Sequence, residues 1–297
     1  MFKNPVEQAF ALSAINDIYA LASPSSALRV PSFVAAPLSV VATQFLLAHH
    51  PARHYMRPMS SCRAPIAEVS PSEPSVGVLQ QALAVLRAGD VIAFPTDTLY
   101  GLGCAYGQTQ AMERIRRIRG LDLLTRPLTF VLPDVGELPR FTRISEEAYH
   151  LVNRMFPGPY CAELLAHPRV PSPLVQGERR TIGVRIPQSA LCEKLIWRLG
   201  RPILTATAKS RDGHVLSTAA EIRKEYGSEL DLILDGGTLN GPPSTVVSLV
   251  DDWVTVLREG LGPVNRLFGM VSGLRASSRT VRPPGSSAQT ASAWMTS

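Results

Sequence analysis

Two kinds of side chain in this sequence suit an anionic ligand: small hydroxyls beside a carboxylate, and arginines or lysines near glycines. The first kind is dense in residues 90–104, where a short apolar run reaches Pro95 and is followed by Thr96, Asp97, Thr98, Tyr100, Gly101 and Gly103. The second kind is spread over Arg119, Arg126, Lys209 and Arg258, with hydroxyls at Ser244 and Thr245 and glycines at 236, 237 and 241. Binding phosphate calls for such a set, because guanidinium and ammonium groups neutralise charge, hydroxyls donate at short range, and glycines let backbone N–H groups approach. The implied chemistry is the holding of a polyphosphate beside a small polar substrate. The plainer alternatives are a polar turn for 96–100, a strand entrance for 244–247 and a surface ion pair for Arg258.

The elements that must position these groups follow from periodicity. Residues 91–94 are β-prone and too short for a helix, and Pro95 removes a ladder donor, so Thr96, Asp97, Thr98 and Tyr100 are expected on a loop beyond a strand end. Ligands of open α/β sheets sit at such carboxyl ends. Apolar spacing predicts helices over 76–88 and 109–119, each stopped by a glycine, and further helices from Ser145 to before Pro157, over 189–199, and from Thr218 to Gly227. Strands are expected at 128–132, 160–165, 181–186, 203–206, 230–234, 246–250 and 254–257. The alternation predicts an α/β fold, a single domain over 72–267 with a twisted, mixed open sheet flanked by helices, and disordered N- and C-terminal extensions.

Pro95-Thr-Asp-Thr-Leu-Tyr-Gly-Leu-Gly103 resembles the signature of the Sua5/YrdC/YciO family. Thr181-Ile-Gly-Val-Arg-Ile-Pro187, Asp235-Gly-Gly237, Pro243-Ser-Thr-Val-Val247 and Leu257-Arg-Glu-Gly-Leu-Gly262 resemble its later motifs in order. The resemblance implies a YrdC-like fold and chemistry related to threonylcarbamoyl-AMP synthesis from L-threonine, bicarbonate and ATP with Mg²⁺, for tRNA modification. It places Ser244 and Arg258 at ATP, and Thr98 and Thr205 near the amino acid. The candidate substrate contacts are thus Thr96, Thr98, Tyr100, Arg185 and Thr205. The candidate nucleotide contacts are Arg119, Arg126, Thr207, Lys209, Ser244, Thr245 and Arg258. No catalytic residue and no metal ligand is assigned.

The sequence also departs from the synthases, which share a lysine and an arginine two positions apart, then a serine and an asparagine two positions apart. These positions read Arg119, Leu121, Thr207 and Lys209. Leucine donates nothing to a phosphate, and an ammonium cannot accept as an asparagine amide does. Gly120-Leu-Asp-Leu-Leu-Thr-Arg-Pro127, Pro157-Gly-Pro-Tyr160 and Glu178-Arg-Arg-Thr-Ile-Gly183 are closer to the YciO-type branch. The resemblance therefore implies a YciO-type protein binding nucleotide and RNA with the synthase set broken. Its alternatives are an active synthase with altered phosphate ligands and a non-catalytic module binding double-stranded RNA.

Composition bounds the rest. A net charge of +6 and a pI near 9.4 favour anionic partners, nucleotide or RNA. The excess lies at the ends, since no Asp or Glu occurs between Ile18 and Ala67 or after Glu259. Residues 1–71 have the composition of a transit peptide for a plastid or mitochondrion, although Glu7 and Asp17 leave a start at Met56 or Met59 as the alternative. The apolar run 37–48 is shorter than the roughly 20 residues of a spanning helix, so no membrane partner is expected. Cys62, Cys104, Cys161 and Cys192 lack zinc-ligand spacing, and no motif surrounds His150, His167 or His214. The serine-rich stretch 268–297 is expected to be a disordered tail.

Overall fold

The computed structural model describes residues 63–120, 128–268 and 275–276. In chain order these form β1 (Ile66–Glu68), α1 (Val76–Ala88), β2 (Ile92–Pro95), β3 (Tyr100–Ala105), α2 (Thr109–Arg119), β4 (Thr129–Val131), α3 (Leu138–Phe141) and β5 (Thr142–Arg143). There follow α4 (Glu146–Met155), β6 (Tyr160–Ala166), β7 (Thr181–Arg185), α5 (Ala190–Leu199), β8 (Ile203–Thr207), α6 (Ala219–Tyr226), β9 (Leu232–Asp235), β10 (Thr245–Ser248), β11 (Trp253–Arg258), α7 (Asn265–Phe268) and β12 (Arg275–Ala276).

Local chemistry fixes the helix ends. Ser75 and Ser145 accept from the backbone N–H groups of Val78 and Ala148, and Gly89 and Gly120 close α1 and α2 in the left-handed region at φ 85° and 57°. Thr218 and Glu221 make the reciprocal capping box that their spacing predicts for α6. The strands form one mixed sheet in the order β1-β9-β2-β3-β8-β4-β7-β6-β10-β11-β12, with β5 on β6. Pairs such as β1·β9, β4·β7 and β6·β10 are parallel, while β2·β3, β3·β8 and β6·β7 are antiparallel. Helices cover both faces. Ile92 and Phe94 of β2 pack with Leu79, Leu83 and Leu86 of α1 and Leu191, Leu195 and Leu199 of α5, whereas their neighbours Val91 and Ala93 join the opposite core.

Two expectations need correction. Tyr100 and the glycines after it are not loop: β3 pairs antiparallel with β2, Pro95 against Tyr100, leaving a turn at 96–99. A proline at a strand's last rung forfeits one donor without breaking the ladder before it. The expected leader also extends too far, since β1 within it pairs in parallel with β9, Ala64 is buried, and Val69 N donates to Asp235 O at 2.8 Å. A chain trimmed to begin at Ser72 should lose roughly 2 kcal/mol or more in urea unfolding relative to one beginning at Arg63, from lost apolar burial and hydrogen bonds. Equal midpoints would show that β1 contributes nothing. The transit-peptide reading of residues 1–62 lies outside the described residues, as does the tail expectation except at Phe268 and β12.

Candidate functional site

A small cavity, partly open to solvent, lies where the 96–99 turn meets the ends of β7, β8, β10 and β11. Its lining includes Thr96, Thr98, Arg185, Thr205, Thr207, Ser244 and Arg258, each named from the sequence, together with Thr129 and Cys161, which were not. Sheet register brings them together. Gly101 faces Thr207, Gly103 and Thr129 both face Thr205, and Cys161 and Arg258 both face Val246.

Gly101 and Gly103 are required by packing, and Gly101 also lines the cavity. A Cβ on Gly101 would stand 2.6 Å from Thr205 Oγ1, and one on Gly103 would stand 2.6 Å from Phe94 Cε1 and 2.8 Å from Ile203 Cγ2. Gly103→Ala should therefore destabilise the fold by about 1–3 kcal/mol through overpacking, read as a lowered urea midpoint with unchanged m-value.

Hydroxyls line the turn side. Thr96 Oγ1 donates to Leu99 O at 2.7 Å and receives the N–H groups of Thr98 and Leu99, so its work is largely to close the turn. Thr98 Oγ1 stands 3.3 Å from Thr96 Oγ1 and 3.5 Å from Ser244 Oγ, which bridges the turn to the entrance of β10. Thr205 Oγ1 donates to Leu102 O at 2.9 Å.

Two guanidinium groups supply the charge. Arg185 Nη2 donates to Asp97 Oδ1 at 2.7 Å and Thr98 Oγ1 at 3.1 Å, and Asp97 Oδ2 accepts from Gln188 N at 3.1 Å. Arg258 donates from Nε and Nη2 to Ser244 O at 3.3 and 2.9 Å. Burial lowers the Arg258 pKa, the field of Cys161 opposes that, and the like charge of Arg185 lowers it further. Burial also pushes the Cys161 thiol up to about 11 against the pull of both arginines, so at neutral pH it is a neutral thiol and not a nucleophile.

Several candidates point elsewhere. Tyr100 is among the lining residues, but its hydroxyl donates to Gly237 O at 2.7 Å and accepts from Gly236 N at 3.0 Å. Burial, offset in part by the Gly236 hydrogen bond and reinforced by Asp235, raises its pKa to about 12. Tyr100→Phe should cost about 1–3 kcal/mol by stranding these backbone groups, measured by urea unfolding, without abolishing ligand binding. Thr245 is fully buried behind the cavity, where Oγ1 donates to Gly262 O at 2.6 Å and accepts from Gly260 N at 2.9 Å. Its assignment as a nucleotide contact is replaced by that of a pin for the 260–262 loop. Arg119 Nη1 donates to Lys209 O at 3.2 Å, the same carbonyl that Tyr226 Oη reaches at 2.8 Å, and neither Arg119 nor Lys209 lines the cavity. Arg126 and Leu121 lie outside the described residues.

Thr129 and Cys161 line the cavity without having been candidates, and Asp97, placed in the turn by the motif, was not assigned its partner. Asp97 meets Arg185 across 88 positions, which no local pattern reveals; Cys161 follows from alternation along β6, whose Tyr160, Ala162 and Leu164 belong to the main core. Among the described residues no group of three or more His, Cys, Asp or Glu is placed to hold a metal ion, and no helix is long and apolar enough to cross a membrane. The cavity suits anions: its cations and hydroxyls fit carboxylate or phosphate oxygens, no carboxylate is among its lining residues, and the adjacent Asp97 is engaged by Arg185.

Residues 84–260 match the family model Sua5_yciO_yrdC, described as telomere recombination. The chain is 36% identical over 197 residues to the uncharacterized protein YciO of Escherichia coli K12, covering 66% of this chain and 95% of that one. The crystal structure of E. coli YciO superposes with a TM-score of 0.65 at 34% identity, over 69% of this chain and 99% of that one. Threonylcarbamoyl-AMP synthase of Bacillus subtilis is 32% identical over 195 residues, covering 65% of this chain and 55% of the synthase. The crystal structure of Pyrococcus abyssi Sua5 complexed with L-threonine gives a TM-score of 0.65 at 28% identity, over 72% of this chain and 63% of that one. The chain thus spans somewhat more than half of these two longer proteins.

Proposed function

The chain belongs to the Sua5/YciO/YrdC family, and on that premise we propose that its cavity binds a nucleotide beside a small amino acid, in chemistry related to threonylcarbamoyl-AMP formation on the route to tRNA modification. The observation that carries this reading is that Arg258, bonded to the Ser244 carbonyl, and Arg185, bonded to Thr98, line one cavity in which the Thr98 and Ser244 hydroxyls stand 3.5 Å apart. Arg258 and Ser244 take the phosphates, and Thr98, Thr205 and Arg185 face the amino acid. L-threonine in the solved Sua5 complex supports an amino-acid ligand of this size. Among the described residues no carboxylate set lines the cavity, so any Mg²⁺ would have to come with ATP rather than be held by this chain's side chains. There it would shield the triphosphate charge.

In this reading the protein is a YciO-type paralogue with weak synthase capacity. The phosphate-binding positions of the synthases read Arg119, Leu121, Thr207 and Lys209, and the Arg119 guanidinium donates to the Lys209 carbonyl away from the cavity lining. Positioned charge is what accelerates such reactions, so its displacement lowers turnover more than binding. ATP/pyrophosphate exchange tests this. The wild-type chain is expected to bind ATP yet to support only slow exchange dependent on threonine and bicarbonate. Absence of ATP binding, with salt-steep affinity for double-stranded RNA in its place, would overturn the reading in favour of an RNA-binding module.

A further inference from the structure

Helix α5 spends only one side on the core. Leu191, Cys192, Leu195, Ile196 and Leu199 are buried, so the opposite side carries Glu193, Lys194, Trp197 and Arg198 to solvent. Tryptophan is highly buried on average, yet Trp197 is 55% exposed. Lys194, Trp197 and Arg198 stand at i, i+3 and i+4 and so share one stripe, and exposed Arg201 follows just past the helix end. From α1, Arg87 Nη2 donates to Arg198 O at 2.6 Å, which fixes a further cation at the last turn of α5. The stripe's own acid is Glu193, and Asp90, just beyond α1, is taken by Arg114.

Charge narrows what could cover this face. The chain's own ends are acid-poor, with no Asp or Glu between Ile18 and Ala67 or after Glu259, so they offer few of the anions it calls for. A second copy related by a two-fold axis would set the same cations against each other. A nucleic-acid backbone would meet Glu193, one helical turn from the indole, as a like charge, whereas a protein helix of mixed charge can pair with it. Trp and Arg are also the side chains most enriched among those that dominate protein interfaces, and helices are read by anchors at this spacing.

We propose that the Trp197 face of α5 docks an acidic helix of a partner protein, with Trp197 as the apolar anchor and Lys194, Arg198 and Arg87 pairing with its carboxylates. The proposal goes beyond the ligand reading above and does not rest on it. None of these side chains lines the cavity. α5 begins beside the cavity, where Gln188 N meets Asp97, and Trp197 lies roughly 12 Å further along the helix.

The test is the indole N–H resonance of Trp197 in ¹H–¹⁵N spectra of the full-length chain, assigned by its loss in Trp197→Phe. The probes, titrated separately, are a stapled helical peptide of Glu, Leu and Ala, the same peptide with Lys for every Glu, a short polyuridine, and phosphatidylglycerol vesicles. The acidic peptide is expected to shift the resonance and the basic one to leave it in place. In calorimetry, Trp197→Ala should bind the acidic peptide about tenfold more weakly, with an unchanged urea midpoint because the side chain is exposed. Lys194→Glu combined with Arg198→Glu should lose the acidic peptide and gain the basic one, which assigns the contact to this face rather than to basic surface elsewhere. An unmoved indole, equal shifts with both peptides, or a charge-reversed variant that binds the acidic peptide as the wild type does overturns the proposal. A larger shift with polyuridine or with vesicles than with the acidic peptide overturns it in favour of an RNA-binding or a membrane-binding face.

Discussion

In a calorimetric titration, Arg258→Ala is expected to bind ATP about ten- to a hundredfold more weakly than the wild-type chain, which is what losing a charged hydrogen bond of about 1.5–3 kcal/mol amounts to. The guanidinium is half-buried at the end of β11 and is held by the Ser244 carbonyl, so it meets a ligand already oriented. Preorganisation of this kind spares the rotamer entropy that a surface arginine would lose on binding. Arg258→Lys separates charge from shape. The ammonium keeps the charge but not the fork, so its affinity should fall between those of the wild type and the alanine variant. An alanine variant within about twofold of wild type would remove Arg258 from the nucleotide site.

The helices were largely legible because their signals are local. Ser75 with Gly89, and Thr218 with Glu221, mark ends by hydrogen bonds spanning a few residues, and the apolar spacing between fixes the buried face. β1 and β3 were not. β1 has three residues, too few for a period, and Tyr100-Gly-Leu-Gly103 reads as loop because glycine is a poor strand former. Only the long-range partners explain the glycines, since Phe94, Ile203 and Thr205 occupy the space where Cβ atoms would stand.

The site was legible in part for a related reason. Motifs supplied Thr98, Arg185, Ser244 and Arg258, and the sheet brings them to one cavity. Alternation along a strand separates neighbours, so Ser244 and Thr245 could not both face the ligand; Ser244 lines the cavity and Thr245 turns to Gly260 and Gly262. Arg119 was named for its charge, and charge says nothing of direction: it does not line the cavity. It ends α2, and its reach toward the Lys209 carbonyl depends on a contact 90 positions away.

That direction makes the last prediction the most consequential. If adenylation requires all four phosphate-binding groups, the wild-type chain lacks the arginine outright, at Leu121, and presents the first charge on a planar fork tied to Lys209 O. A single lost stabilising donor typically costs about 10²–10³ in rate, so threonylcarbamoyl-AMP formation by the wild type should be near background with ATP, threonine and bicarbonate saturating. A variant carrying Arg119→Lys, Leu121→Arg, Thr207→Ser and Lys209→Asn should gain at least about a hundredfold in product formation. Single restorations should gain far less, because groups acting as a unit are not additive. Leu121→Arg alone supplies charge without the lysine's point contact, and Lys209→Asn alone exchanges an ammonium for an amide acceptor beside an unrestored triphosphate site. Product measured by liquid chromatography decides the matter: brisk wild-type turnover would return the protein to the synthases, with Arg126 or the Lys209 side chain as replacement phosphate ligands.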